Sequence, residues 1–157
     1  TEFYLHPEIR TRELARSVLS ASDADNSRLV CCNIAASDMI GHLLPDRYEE
    51  AKVAYRAVAD ALVKITNRAR ASGNYMVITS DHGNIEDDTS AHSVNDILTT
   101  IISPGHEQLG LSVPVFQARL FDIAPTLLEL LDSTVNQSTI TITDPFVGRS
   151  LVHIEPE

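Results

Sequence analysis

Hydrophobic positions recur with two different periods along this chain. Apolar residues spaced three or four apart predict a helix over residues 7–19 and a longer one over 47–73, with Gly73 as a candidate stop signal. Short continuous apolar runs, typical of strands that are covered on both faces, occupy residues 29–35, 75–80 and 97–103. Helices and strands therefore alternate along most of the chain.

Two further patterns lie towards the C-terminal end. The string "FDIAPTLLELL" predicts a short helix, with Asp122 as a candidate N-cap and Pro125 in its first turn. Residues 139–143 alternate like an edge strand. Because strands connected through helices pair in parallel with right-handed crossovers, we expect a mostly parallel sheet flanked by helices. The sequence predicts one α/β domain over residues 1–157.

Composition narrows the classes of partner. The 157 residues include 22 acidic and 12 basic side chains, a net charge of −10, which disfavours nucleic acid and anionic membrane surfaces. No apolar run approaches the roughly 18 residues of a membrane span. Cys31 and Cys32 are neighbours, and a disulfide between them would be strained within a strand. We expect both thiols to be reduced and buried, as in a cytoplasmic protein.

Acidic and imidazole side chains cluster around the ends of the predicted strands. Asp38 and His42 follow the first strand, Asp81 and His82 follow the second directly, and His92 precedes the third. In open α/β sheets, ligands bind at the carboxyl ends of the strands. Mixed carboxylate and imidazole ligation suits zinc, manganese, iron or cobalt better than calcium or magnesium. Two such cations about 4 Å apart could clamp a phosphoryl group.

The spacing within each motif leaves alternatives open. Asp38 and His42 lie one turn apart if the segment is helical, or within reach of each other across a tight loop. Asp81 and His82 must sit where the strand gives way to a loop, and Gly83 permits a turn there. Each motif taken alone also fits ordinary surface or turn chemistry.

The motifs taken together carry a family resemblance. The strings "NIAASDMIGH", "VITSDHGNIE", "SAHS" and "LFDIAPTLLELL…VGRSL" follow the opening "EFYLHPEIRTRELARSVL" in this order. They resemble the metal-binding C-terminal part of the cofactor-independent (2,3-bisphosphoglycerate-independent) phosphoglycerate mutases, a branch of the alkaline phosphatase superfamily. Phosphopentomutase is a weaker match within that superfamily. The resemblance implies an alkaline phosphatase-like core that lacks its N-terminal strands.

The resemblance also implies roles for the five side chains. Asp38, His42 and His92 would hold one manganese ion, with zinc as the alternative metal. Asp81 and His82 would hold part of a second ion. In that family, the second site is completed by an aspartate and a nucleophilic serine that precede this region. We assign no catalytic residue within these 157 residues, and the nucleophile is unknown.

Two hypotheses about function remain open. The first is metal-dependent phosphoryl transfer of the phosphoglycerate mutase type, which interconverts 2- and 3-phosphoglycerate in glycolysis. The chain would then act with a missing N-terminal portion or a partner chain, and we expect the isolated chain to be inactive as a mutase. The second is a truncated, non-catalytic metal-binding or interaction module. In either case, an exposed sheet edge predicts a homo-oligomer or a covering N-terminal portion.

Overall fold

The computed structural model describes residues 6–23, 29–42, 48–83, 92–105, 109–112, 114, 117–134 and 148–154. Within these residues the chain forms four α-helices and four short strands. Their bounds are α1 (Pro7–Ser22), α2 (Ala36–Gly41), α3 (Tyr48–Ala71), β1 (Met76–Ile78), β2 (Thr100–Ile102), β3 (Leu109–Leu111), α4 (Ile123–Thr134) and β4 (Val152–Ile154). The edge strand predicted at 139–143 lies outside the described residues.

The two long helices confirm the periodicity of the sequence. They pack against each other, and α3 does so through a stripe of alanines that the neighbouring elements bury. The end of α3 is also where the sequence predicts it. Gly73 adopts a φ of 71°, Asn74 N–H donates to the Ala69 carbonyl at 2.8 Å, and Gly73 N–H donates to the Arg70 carbonyl at 3.2 Å. This is the hydrogen-bond pattern of a glycine-terminated helix.

Side chains of the helices and of a second strand pair contact β1 and β2 on both faces. Val77 and Ile101, which lie opposite each other, pack against a core that includes Leu130 of α4. On the other face, the Thr66 hydroxyl of α3 lies 3.3 Å from the sulfur of Met76. Since neighbouring residues of a strand point to opposite faces, the sheet lies between α3 and α4. The layers are those of an α/β protein.

The mostly parallel sheet that the sequence predicts is not formed by the strands that the structure describes. β1 and β2 are antiparallel, with Met76 opposite Ile102, and β3 and β4 are antiparallel as well. A parallel pair needs a crossover that returns the chain to the same end of the sheet. The chain turns back instead, and Gly83 forms an antiparallel bridge with Ser93. Residues 76–83 and 93–102 thus form the two arms of a long hairpin, and these arms meet again beyond β1.

The first predicted strand, residues 29–35, forms no strand pairing in the part of the chain that the structure describes. Cys31 and Cys32 form no disulfide, as expected, but both are exposed, so the prediction that they are buried is wrong. A strand becomes buried when neighbours flank it, and none of the described strands does so here. Partial burial, and to a lesser extent the neighbouring Cys31, still raise the pKa of the Cys32 thiol.

A buried carboxylate holds the C-terminal segment in place. Asp122 is only 2% exposed; its Oδ2 accepts from Arg119 N–H at 2.8 Å and its Oδ1 accepts from Arg149 N–H at 2.9 Å. The side chain therefore joins two backbone segments and does not cap α4, contrary to the prediction. The backbone passes so close to Phe121 at Gly148 that a Cβ there would lie 2.7 Å from the Phe121 carbonyl carbon.

Replacing Asp122 with alanine should lower the free energy of unfolding by roughly 2–5 kcal/mol, because two backbone N–H groups lose their acceptor. Asp122→Asn keeps one carbonyl acceptor and should lose about half as much. Urea denaturation of the chain measures both changes. Asp96→Ala, at an exposed position, is the control and should change stability by less than about 0.5 kcal/mol. Equal stabilities for Asp122→Ala and Asp96→Ala would contradict the role of Asp122.

Among the described residues, no helix combines the length and apolar character that crossing a bilayer requires.

Candidate metal centre

The short helix α2 places Asp38 and His42 on one face. Asp38 lies in the first turn of α2, and His42 directly follows the last residue of this helix. The His42 N–H donates to the Asp38 carbonyl at 3.1 Å. The helical alternative is thus the correct one, and His42 Nε2 lies 3.3 Å from Asp38 Oδ1. Ile40 is 4% exposed and packs with Ala51 and Ala54 of α3. Burial of this isoleucine fixes the orientation of the helix that carries the two side chains.

The long hairpin positions the remaining three candidate ligands. Asp81 and His82 lie just beyond β1 on the outgoing arm, and His92 lies on the returning arm. The imidazole rings of His82 and His92 stack with their centroids 3.5 Å apart and their planes 14° apart. Two residues that are ten positions apart in the sequence are therefore face to face in the structure.

Three ligand atoms from the two segments form a nearly regular triangle. His92 Nε2 lies 3.2 Å from Asp38 Oδ1 and 3.3 Å from His42 Nε2, and the third side, His42 to Asp38, is 3.3 Å. In a tetrahedral centre with bonds of about 2.0–2.2 Å, ligand atoms lie roughly 3.3–3.6 Å apart. The triangle therefore fits one face of such a centre, with a fourth position open. The three side chains are between 38% and 49% exposed, so that position is accessible.

The other two side chains extend the cluster. His82 joins Asp38 and His92 in a set whose ligand atoms all lie within 4.8 Å of one another. Asp81 Oδ1 lies 3.6 Å from His82 Nε2, and the Asp81 side chain is 78% exposed. We take the triangle that contains His42 as the primary group because its three distances are shorter. Asp81 and His82 form a second, more open group beside it.

The described serines near the cluster do not present a nucleophile, and Ser90 lies outside the described residues. Ser93 is 8% exposed and its N–H donates to the Gly83 carbonyl at 2.8 Å, a structural contact that sequence reasoning missed. Ser37 lies half-buried in α2, and Ser80 is exposed at the end of β1. None lies at a strand-to-helix turn of the kind that presents a nucleophilic hydroxyl.

Comparison with known proteins places the chain in a family. Residues 1–134 match the family model of the Metalloenzyme superfamily, so the chain belongs to that superfamily. The 2,3-bisphosphoglycerate-independent phosphoglycerate mutase of Clostridium botulinum is 30% identical over 136 residues, which cover 82% of this chain and 25% of that protein. The enzyme of the same name from Wolbachia pipientis is 31% identical over 133 residues, covering 81% and 25%. The resemblance stated from the motifs is thereby confirmed.

A solved structure confirms the fold. The crystal structure of Leishmania mexicana phosphoglycerate mutase at low cobalt concentration matches with a TM-score of 0.80 at 17% sequence identity. The match covers 99% of this chain and 30% of that chain. The α/β class with an alkaline phosphatase-like fold is therefore confirmed for this chain. Its 157 residues span about a quarter of the length of the curated relatives.

Proposed function

We propose that this chain is the metal-binding part of a metal-dependent phosphoryl-transfer enzyme of the phosphoglycerate mutase type. The reaction is the interconversion of 2- and 3-phosphoglycerate, a step of glycolysis in the cytoplasm. The observation that supports it best is the triangle of ligand atoms on Asp38, His42 and His92, in a chain whose relatives carry that enzyme's name. The substrate is a phosphorylated small molecule, not a nucleic acid or a membrane.

The donor set fits a transition-metal cation. Asp38, His42 and His92 would hold the first ion, manganese by family resemblance or zinc by ligand type, and Asp81 and His82 would hold part of a second. When bound, the metal supplies Lewis-acid stabilisation of charge on a phosphoryl oxygen. The contribution of the chain itself is preorganisation: α2 and the hairpin hold the donors before any ligand arrives. The nucleophile and the groups that grip the substrate would come from polypeptide outside these 157 residues.

The surface of the chain supports a covering partner. No residue of β1 or β2 is fully buried, and residues 29–34 are exposed or half-buried without strand pairing. We propose that the N-terminal portion of the same fold, or a second copy of the chain, covers this surface.

The isolated chain should self-associate. Sedimentation equilibrium at micromolar concentrations should give a dimer or larger species, because apolar side chains such as Leu29 and Leu98 are exposed among the described residues. Leu29→Lys should weaken association, since Leu29 is 50% exposed within the unpaired segment. Val63→Lys, at a 58% exposed position on α3, is the matched control and should not weaken it. A single monomeric species over the whole concentration range would contradict this prediction.

Hydrolysis of an activated aryl phosphate tests the proposed chemistry directly. The chain supplied with Mn²⁺ should hydrolyse p-nitrophenyl phosphate slowly, because such a substrate needs little positioning and a good leaving group needs little assistance. Asp38→Ala should abolish this hydrolysis, whereas His153→Ala, at an exposed position on β4, should not. Equal rates for the two variants would show that the hydrolysis arises elsewhere.

The alternative, a non-catalytic metal-binding module, is favoured by one observation. No nucleophile is placed beside the cluster in the part of the chain that the structure describes. This alternative predicts that the metal binds but that no added polypeptide of the family restores turnover.

A further inference from the structure

A backbone contact joins the two arms of the hairpin beside the cluster. Ser93 N–H donates to the Gly83 carbonyl at 2.8 Å within an isolated antiparallel bridge, which we call the Gly83–Ser93 clasp. The clasp is shielded from water, because Ser93 is only 8% exposed. Asn95 N–H points at Ser93 Oγ from 3.4 Å on the same arm. The clasp is thus a fixed contact between the two arms beyond the β1–β2 pair.

The same carbonyl also contacts a candidate ligand. His82 Nδ1 lies 3.1 Å from the Gly83 oxygen. A carbonyl oxygen can only accept, and its two lone pairs can serve both Ser93 N–H and an imidazole N–H. In neutral His82 this contact is a hydrogen bond only if the proton lies on Nδ1, which leaves the lone pair on Nε2. That Nε2 is the atom that faces Asp81 Oδ1 at 3.6 Å.

The clasp also fixes the two imidazoles relative to each other. His82 directly precedes one clasp residue and His92 directly precedes the other. Their rings stack at 3.5 Å, and His92 Nε2 is part of the triangle with Asp38 and His42. If the two arms were not joined, the side chains of His82 and His92 would have to be ordered when a cation binds, and that ordering would cost conformational entropy. With the arms joined, most of that ordering is complete in the folded chain.

We propose that the Gly83–Ser93 clasp is the positioning device of the metal cluster. The Gly83 carbonyl holds His82 in its Nδ1–H tautomer, and Ser93 N–H holds that carbonyl in place. The Nε2 atoms of His82 and His92 are then both presented to cations. The inference rests on the proposed metal site but concerns two residues that would touch no metal. Groups that orient metal ligands in this way typically change metal affinity 10- to 100-fold when they are removed.

The first test needs no metal. Long-range ¹⁵N–¹H correlation spectra of the metal-free chain, recorded at pH 8 and assigned through His82→Gln, report the tautomer of His82. We expect Nδ1–H, whereas a free imidazole prefers Nε2–H. A predominantly Nε2–H tautomer would overturn the proposal. If the chain fails to bind metal, the proposed function is refuted. The tautomer of His82 still tests whether the clasp orients this side chain.

The second test removes the donor. Ser93→Pro lacks the N–H, and it should shift His82 towards the Nε2–H tautomer and weaken Zn²⁺ binding, measured by calorimetry, 10- to 100-fold. Val94→Pro is the matched control, because it places a proline ring one residue further on, where the side chain is fully exposed and lies outside the bridge. It should change neither the tautomer of His82 nor the affinity for Zn²⁺. If Ser93→Pro does not fold, a semisynthetic chain with an ester in place of the residue-93 amide removes only the N–H. Unchanged tautomer and affinity in whichever of these folds would refute the proposal.

Discussion

Replacing His42 with alanine should weaken binding of Mn²⁺ or Zn²⁺ by on the order of 100-fold or more, enough to abolish retention through dialysis. His42 contributes one corner of the triangle, 3.3 Å from both Asp38 Oδ1 and His92 Nε2. Its loss removes two sides of the triangle and leaves Asp38 and His92 with the more distant His82, in a set whose ligand atoms are spread over as much as 4.8 Å. That wider set fits a tetrahedral centre less well than the triangle does. Elemental analysis of the dialysed chain should find about one cation per unaltered chain and none in His42→Ala.

Two further variants make this result specific. Asp81→Ala should keep the first cation, because Asp81 belongs to the more open group and is 78% exposed. His153→Ala should also keep it, since His153 lies on β4 with its Nδ1 3.2 Å from Ser112 Oγ. A cation in 100-fold excess over its Kd should stabilise the unaltered chain by about 2.7 kcal/mol and leave His42→Ala unchanged. A folded, chelator-free chain that retains no metal would refute the site.

The second prediction is an absence of turnover. The isolated chain supplied with Mn²⁺ should not interconvert 2- and 3-phosphoglycerate. Positioning alone can contribute about 7–11 kcal/mol to such a barrier, and no part of the described chain is placed to hold a phosphoglycerate. A serine-based transfer also needs a nucleophile activated beside the metal. A coupled assay that consumes 2-phosphoglycerate measures the rate directly.

Supplying the N-terminal portion that the proposed function requires separates the two hypotheses about function. A longer chain that includes the N-terminal portion should show turnover, and Asp38→Ala within it should remove that turnover. Turnover by the 157 residues alone would contradict the prediction and would direct attention to Ser37, Ser80, Ser90 and Ser93. No turnover by the longer chain, with metal bound, would favour the non-catalytic module.

Local signals explain what the sequence predicted correctly. The ends of α1 and α3 depend on residues within one turn, such as Pro7 at the first position of α1 and Gly73 after α3. The spacing of Asp38 and His42 also needs only a helical turn to bring the side chains together. The grouping of the five candidate ligands follows from their placement at the ends of apolar segments.

The errors concern contacts between distant segments. Whether two strands pair in parallel or antiparallel depends on whether the chain between them crosses over or turns back. The apolar runs of β1 and β2 have the same pattern in either case. The exposure of Cys31 depends on which strands flank residues 29–35. The role of Asp122 depends on Arg149, which is 27 residues away. β3 and β4, at three residues each, are too short to show a period.

The sequence by itself therefore determined the α/β class, the long helices and the residue types of the candidate metal centre. These follow from periodicity, helix-end signals and donor chemistry, all of which act over a few residues. The tertiary structure alone decided that the hairpin folds back antiparallel, that His82 stacks on His92, and that Gly83 and Ser93 join the arms between them. Those features depend on which distant segments meet, and the free energy of such contacts comes from packing and burial that no local pattern encodes.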